Sequence, residues 1–107
     1  MFGNLGEMAG LMKKFSEIQK NMKQMKEDLS RTEITGNDPE GHVEIRMSGD
    51  LNVRQIRIDP ALVSANNPAL VEAACSAALQ NVLIQFKEVS AKKLSDATGG
   101  LNIPGLT

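Results

Sequence analysis

The chain has 107 residues, 41% of them hydrophobic and 3% aromatic, and a formal net charge of −1. That is the length of one domain, with too little interior for a deep enclosed active site, and the near-neutral balance excludes a histone-like polycation. The lone Cys75 excludes an internal disulfide, no apolar run approaches the roughly 18 residues of a membrane span, and the N-terminus lacks the pattern of a signal peptide. A cytoplasmic protein is expected.

The first predicted element is a helix over residues 5–30. From Leu11 its apolar positions run Phe15, Ile18, Met22, Met25 and Leu29. Steps of three and four make an amphipathic helix close to a coiled-coil seam. Charge is segregated along the chain. Between Lys13 and Lys26 five lysines stand against Glu17, whereas seven acids between Glu27 and Asp50 face only Arg31 and Arg46.

Residues 31–58 read as three short antiparallel strands. "TEITG" ends in the turn signal "GNDPEG", and Val43, Ile45 and Met47 then alternate with His42, Glu44 and Arg46. After the turn "SGD", Leu51 and Val53 have the opposite parity to Ile56 and Ile58. A bulge near Arg54 and Gln55 reconciles the two. That bulge leaves Arg54 either paired with a carboxylate or turned to the rim.

Asp59 and Pro60 suit the start of a short helical turn, and Asn67 and Pro68 the start of a long helix over 67–98. Val71, Ala74, Cys75, Ala78, Val82, Phe86 and Val89 form its stripe, widened by Leu70, Leu79, Leu83 and Ile84. Gly99 and Gly100 end it, and residues 99–107 read as a short mobile tail. The fold class is therefore α+β: a long N-terminal helix, a three-stranded antiparallel sheet and a long C-terminal helix. The apolar surface exceeds what one small chain can hide, so a homodimer is expected, with Val82 and Phe86 at the interface.

No catalytic residues are expected. His42 is the only histidine and reads as a surface residue at a strand start, and Cys75 reads as a small core residue. The sequence holds no HExxH, CxxC, GxGxxG or phosphate-binding P-loop. The expectation is therefore no enzyme, no metal, no cofactor and no small-molecule substrate. The methionines at helical spacing read as core filler or a partner-helix seam rather than a membrane-surface helix. The lysines admit two readings, a solvated helix face or contacts to phosphates, since lysine finds phosphates without reading bases.

The ordered set "MFGNLGEMAGLMKKFSEIQKNMKQMKEDL", "TEITG", "GHVEIRMSGDLNVRQIRIDPALV" and "ATGGLNIPGL" resembles the YbaB/EbfC family of small bacterial nucleoid-associated proteins. The resemblance runs over nearly the whole chain. It implies a homodimer with projecting helices, likened to tweezers, that binds double-stranded DNA, and it adds no catalytic residues. It points first to Lys13, Lys14, Lys20, Lys23 and Lys26, with Arg31 extending that surface, and second to Lys87, Lys92 and Lys93. The alternative is a protein-interaction adaptor whose Met-rich helix binds a partner without DNA.

Overall fold

The computed structural model describes residues 4–99. Helix α1 spans Asn4–Arg31 and leads into strands β1 (Glu33–Asn37), β2 (Val43–Ser48) and β3 (Val53–Ile58). A short helix α2 (Pro60–Ser64) and the long α3 (Pro68–Ala97) complete the chain. The strands pair antiparallel in the order β1-β2-β3. The tail expected beyond residue 99 lies outside the described residues.

Local chemistry sets the boundaries. Asp59 accepts a hydrogen bond from the Ala61 N–H at 2.9 Å and Asn67 accepts one from Ala69 at 3.1 Å, each before a proline at the first helical position. Gly99, at φ +66°, ends α3 in the left-handed region. The bulge is at Arg54, where Arg46 pairs with Gln55 but Met47 pairs with Val53. It returns Val53 to the face shared by Ile56 and Ile58.

One face of the sheet carries Ile34, Val43, Ile45 and Met47, all buried against α3. The other face is polar and solvated, as an open antiparallel sheet allows. There Arg46 donates from Nε to Glu44 at 2.7 Å and lies 3.8 Å from Glu33. Helix α3 packs over β1 and β2 through Ala78 and Val82, with Val71, Cys75, Phe86 and Val89 half-buried beside them. Gly36 makes that approach possible, because a Cβ there would sit 2.3 Å from the Val82 backbone nitrogen.

Two expectations change here. Of the two residues expected at a dimer interface, Val82 is fully buried inside its own chain, while Phe86 is half-buried against the same core and keeps part of its surface. The stripe of α3 is the chain's own core stripe. Helix α3 also proves long and apolar enough, by length and composition alone, to cross a membrane, although no such run stood out in the sequence. Its alanines and leucines dilute the polar residues without forming an unbroken run. Its central stripe packs on the sheet through Ala78 and Val82.

The β1–β2 hairpin turns on Asp38. Its carboxylate accepts the Val43 N–H at 2.7 Å, and its own carbonyl accepts the Gly41 N–H at 3.0 Å. Burial pushes this carboxyl up, but the backbone N–H groups of Val43, Glu40 and Asp38 itself, with His42 nearby, outweigh it and hold the pKa below the ordinary 3.8. His42, read as a surface residue, lies at the surface with ion-pair neighbours. It is half-buried, with Nδ1 3.5 Å from Glu40 and 4.0 Å from Asp38. A depressed carboxylate adds stability that is fully present above its unfolded pKa and is lost as pH falls through the folded value. The denaturation midpoint should therefore drop from pH 4 downward more steeply in the wild type than in Asp38→Asn. Parallel profiles for the two proteins would show that Asp38 carries no such linkage.

Candidate nucleic-acid interface

Six of the chain's twelve Lys and Arg residues sit on α1, and their geometry follows from how that helix is rooted. An α-helix leaves its last four carbonyls without intrahelical partners. Here each of the last interior ones is met. Ser30 and Thr32 donate side-chain hydroxyls to the Glu27 and Asp28 carbonyls at 2.6 and 2.7 Å. The Gly49 N–H reaches the Leu29 carbonyl at 2.9 Å, and Arg54 donates to the Ser30 carbonyl at 3.0 Å. Arg54 has thus turned to the rim, where its charge complements the negative end of the helix dipole. A Cβ on Gly49 would lie 2.8 Å from the Leu29 carbonyl oxygen, so only glycine lets the β2–β3 turn close on the root of α1. Sequence reasoning missed Gly49 and Arg54 as the fixtures of this helix. The "SGD" turn and the bulge next to Arg54 were the available signals.

From that root α1 packs antiparallel on the end of α3. Met22, Met25 and Leu29 face Lys87, Ser90, Ala91 and Leu94, while Asn21 and Gln24 lie by Lys93 and Ala97. Beyond Asn21 the helix runs on alone. Every residue from Gly6 to Glu17 is exposed. The 28 residues of α1 give a rod of about 42 Å. The radius of gyration is 20.5 Å, where a compact chain of this length would have about 13 Å.

Lys13, Lys14 and Lys20 stand on this projecting arm, and Lys23 and Lys26 on the part that flanks α3. All five are exposed. Among the described residues no carboxylate lies within ion-pairing distance of any of them. Arg31 differs: it is tied to Asp28 at 2.8 Å. The second group is divided by the fold. Lys87 and Lys93 line the α1–α3 groove, Lys87 exposed and Lys93 half-buried, and Lys92 is exposed away from it. The two-helix part thus carries Lys23 and Lys26 beside the second cluster, while Lys13, Lys14 and Lys20 lie beyond it. Among the described residues no three His, Cys, Asp or Glu side chains converge as metal ligands.

The family model for the YbaB/EbfC DNA-binding family matches residues 4–101. The chain belongs to the YbaB/EbfC DNA-binding family. Among its curated relatives is the nucleoid-associated protein SynRCC307_0025 of Synechococcus sp. (strain RCC307), 34% identical over 103 residues, which covers 96% of this chain and 92% of the relative. The fold recurs in the crystal structure of the uncharacterized protein HP0035 from Helicobacter pylori, with a TM-score of 0.62 at 20% identity over 95% of this chain and 98% of that one. YbaB/EbfC membership agrees with the plan expected from the resemblance of the sequence, helix, three strands and helix in order. It names DNA as the ligand class of the family and leaves the contact residues to be argued from the arm itself.

Proposed function

We propose that the protein is a cytoplasmic, nucleoid-associated homodimer that grips duplex DNA through its phosphates and so influences nucleoid organisation or gene expression. The observation that carries the reading is the arm: five exposed lysines without carboxylate partners on a helix that leaves the body of its own chain. Lysine is a flexible, strongly hydrated point charge, suited to phosphate and unsuited to discriminating base edges. The name of the Synechococcus relative supports the nucleoid association. Binding should therefore be similar on unrelated duplexes and steeply salt-dependent. Titration of two unrelated duplexes across 50–200 mM salt tests this. The adaptor reading, favoured by the exposed Met8 and Met12, expects weak binding with little slope.

The dimer rests on a different surface from the one first expected. In β3, Val53 and Ile56 are each 56% exposed and Ile58 is 38% exposed, although their register partners Met47, Ile45 and Val43 are buried. The core face of the sheet thus continues past the edge of α3 into solvent. Leu79 and Ile84 of α3 are exposed as well. A second copy is the self-complementary cover such a face calls for. Ile56→Glu should give a folded monomer at micromolar concentration in equilibrium sedimentation, since this side chain is not part of the single-chain core. A variant that stays dimeric would place the interface elsewhere.

A further inference from the structure

The arm is a lever. From Ser30 back to Lys13 it measures about 26 Å along the helix axis. A tilt of about 10° at the root therefore moves Lys13 by about 4–5 Å, more than the length of a phosphate hydrogen bond. Packing on α3 does not fix such a tilt by itself. On the α1 side that contact is Met22, Met25 and Leu29, with open grooves along it, and methionine adapts its shape to a neighbour that moves.

Directional hydrogen bonds at the root do fix it. The Gly49 N–H donates to the Leu29 and Thr32 carbonyls at 2.9 Å each, and Arg54 Nη2 donates to the Ser30 carbonyl at 3.0 Å. Arg54 is the residue that the bulge adds to β3, since Arg46 pairs with Gln55 and Met47 with Val53. A bulge re-aims a side chain, and this one brings a guanidinium to the negative end of a helix. Among the described residues no carboxylate lies within ion-pairing distance of Arg54. The turn that joins the two contacts is braced. Ser48, fully buried, donates its hydroxyl to Asp50 and accepts the Asn52 N–H at 3.3 Å. Leu51, 55% exposed, is held at φ +67°, a conformation that persists in leucine only where its surroundings over-determine it.

We propose that this bulged turn sets the bearing of the arm, and that Arg54 is a positioning residue for DNA binding rather than a phosphate contact, an assignment that rests on the DNA-binding reading. Without Arg54 the same lysines meet the same phosphates in the complex, but the free arm spreads over more bearings. Apparent affinity then falls by the fraction of time the arm is correctly aimed. If each arm of a dimer keeps its bearing about a third of the time, the two together lose about tenfold. The slope against salt, which counts phosphate contacts, is unchanged.

Two measurements on the full-length protein test this. Spin labels at Ser16→Cys and Thr35→Cys in a Cys75→Ala background, diluted with unlabelled chains, report the distance from arm to sheet by pulsed electron resonance without DNA. The distance distribution should broaden about twofold or more in Arg54→Met. In Gly49→Ala its mean should shift as well, because the added Cβ would meet Leu29 Cδ2 at 2.7 Å and the Leu29 carbonyl oxygen at 2.8 Å. Titrated on a duplex, Arg54→Met should bind about tenfold more weakly at every salt concentration, with the wild-type slope. An unchanged distance distribution in Arg54→Met would overturn the proposal. So would a slope flattened by about one unit or more, which would make Arg54 a phosphate contact. A wild type that binds no duplex would sink the DNA reading instead, and the label distances would still decide whether Arg54 aims the arm.

Discussion

Gly36→Ala should destabilise the fold more than any other single methyl group added to the sheet. The added Cβ would meet the Val82 nitrogen at 2.3 Å and the Val82 Cα and Cβ at 2.5 Å each. Real carbon atoms keep more than 3 Å from such neighbours, so β1 and α3 must separate by about 1 Å along their contact. That separation opens the core around Ile34, Ile45 and Ala78, which are 3%, 5% and 0% exposed. Overpacking of a dense core costs about 1–3 kcal/mol and more where backbone must move, as it must here. We expect a loss of at least about 3 kcal/mol, out of the 5–15 kcal/mol available to a domain of this size. The urea midpoint measures it. Val82→Ala should not rescue the variant, because the clash is with backbone and Cβ atoms that alanine keeps. Rescue by that second change, or a midpoint near the wild-type value, would show that the sheet and α3 are not locked at this point.

The second large effect is on DNA binding. If each arm of a dimer sets two to four of Lys13, Lys14, Lys20, Lys23, Lys26 and Arg31 against phosphates, about four to eight charges are neutralised. Counterion release then gives a slope of log K against log salt of roughly −4 to −7, and affinity should fall by about two to four orders of magnitude between 50 and 200 mM salt. Arg31 is paired with Asp28, and Lys23 and Lys26 lie in the stretch of α1 whose Met22, Met25 and Leu29 pack by α3, whereas Lys13, Lys14 and Lys20 lie before it. Glutamate at Lys13 and Lys20 should weaken binding more than alanine does, since repulsion is added to lost attraction.

Much of the fold was legible because its signals are local. The caps at Asp59 and Asn67 lie in two-residue motifs, and the parity conflict between Val53 and Ile56 predicted the bulge found at Arg54. The failures share a cause, which is that they depend on which element covers which. The wide apolar surface of α3 announced a partner, but nothing local to it says that Val82 meets Gly36 of the same chain while Ile56 of β3 stays largely exposed. The stripe facing the chain's own sheet was therefore read as the dimer face. The neighbours of His42 were not legible either, because the turn that brings it toward Asp38 and Glu40 is set by a carboxylate-to-backbone bond across the hairpin. For the interface, the helix and its lysines were readable from spacing and charge. That the arm stands clear of the body was not, since it follows from α3 ending beside Asn21.

The central claim is that the arm lysines hold DNA by its phosphates, and the slope of binding against salt in Lys13→Ala/Lys20→Ala is its most direct measure. Measured by anisotropy on two unrelated duplexes, the slope should flatten by about one unit per lost contact, two per replaced lysine if both arms engage, and by the same amount on both sequences. An affinity and slope unchanged from the wild type would contradict the account and move the contact surface to Lys87, Lys92 and Lys93.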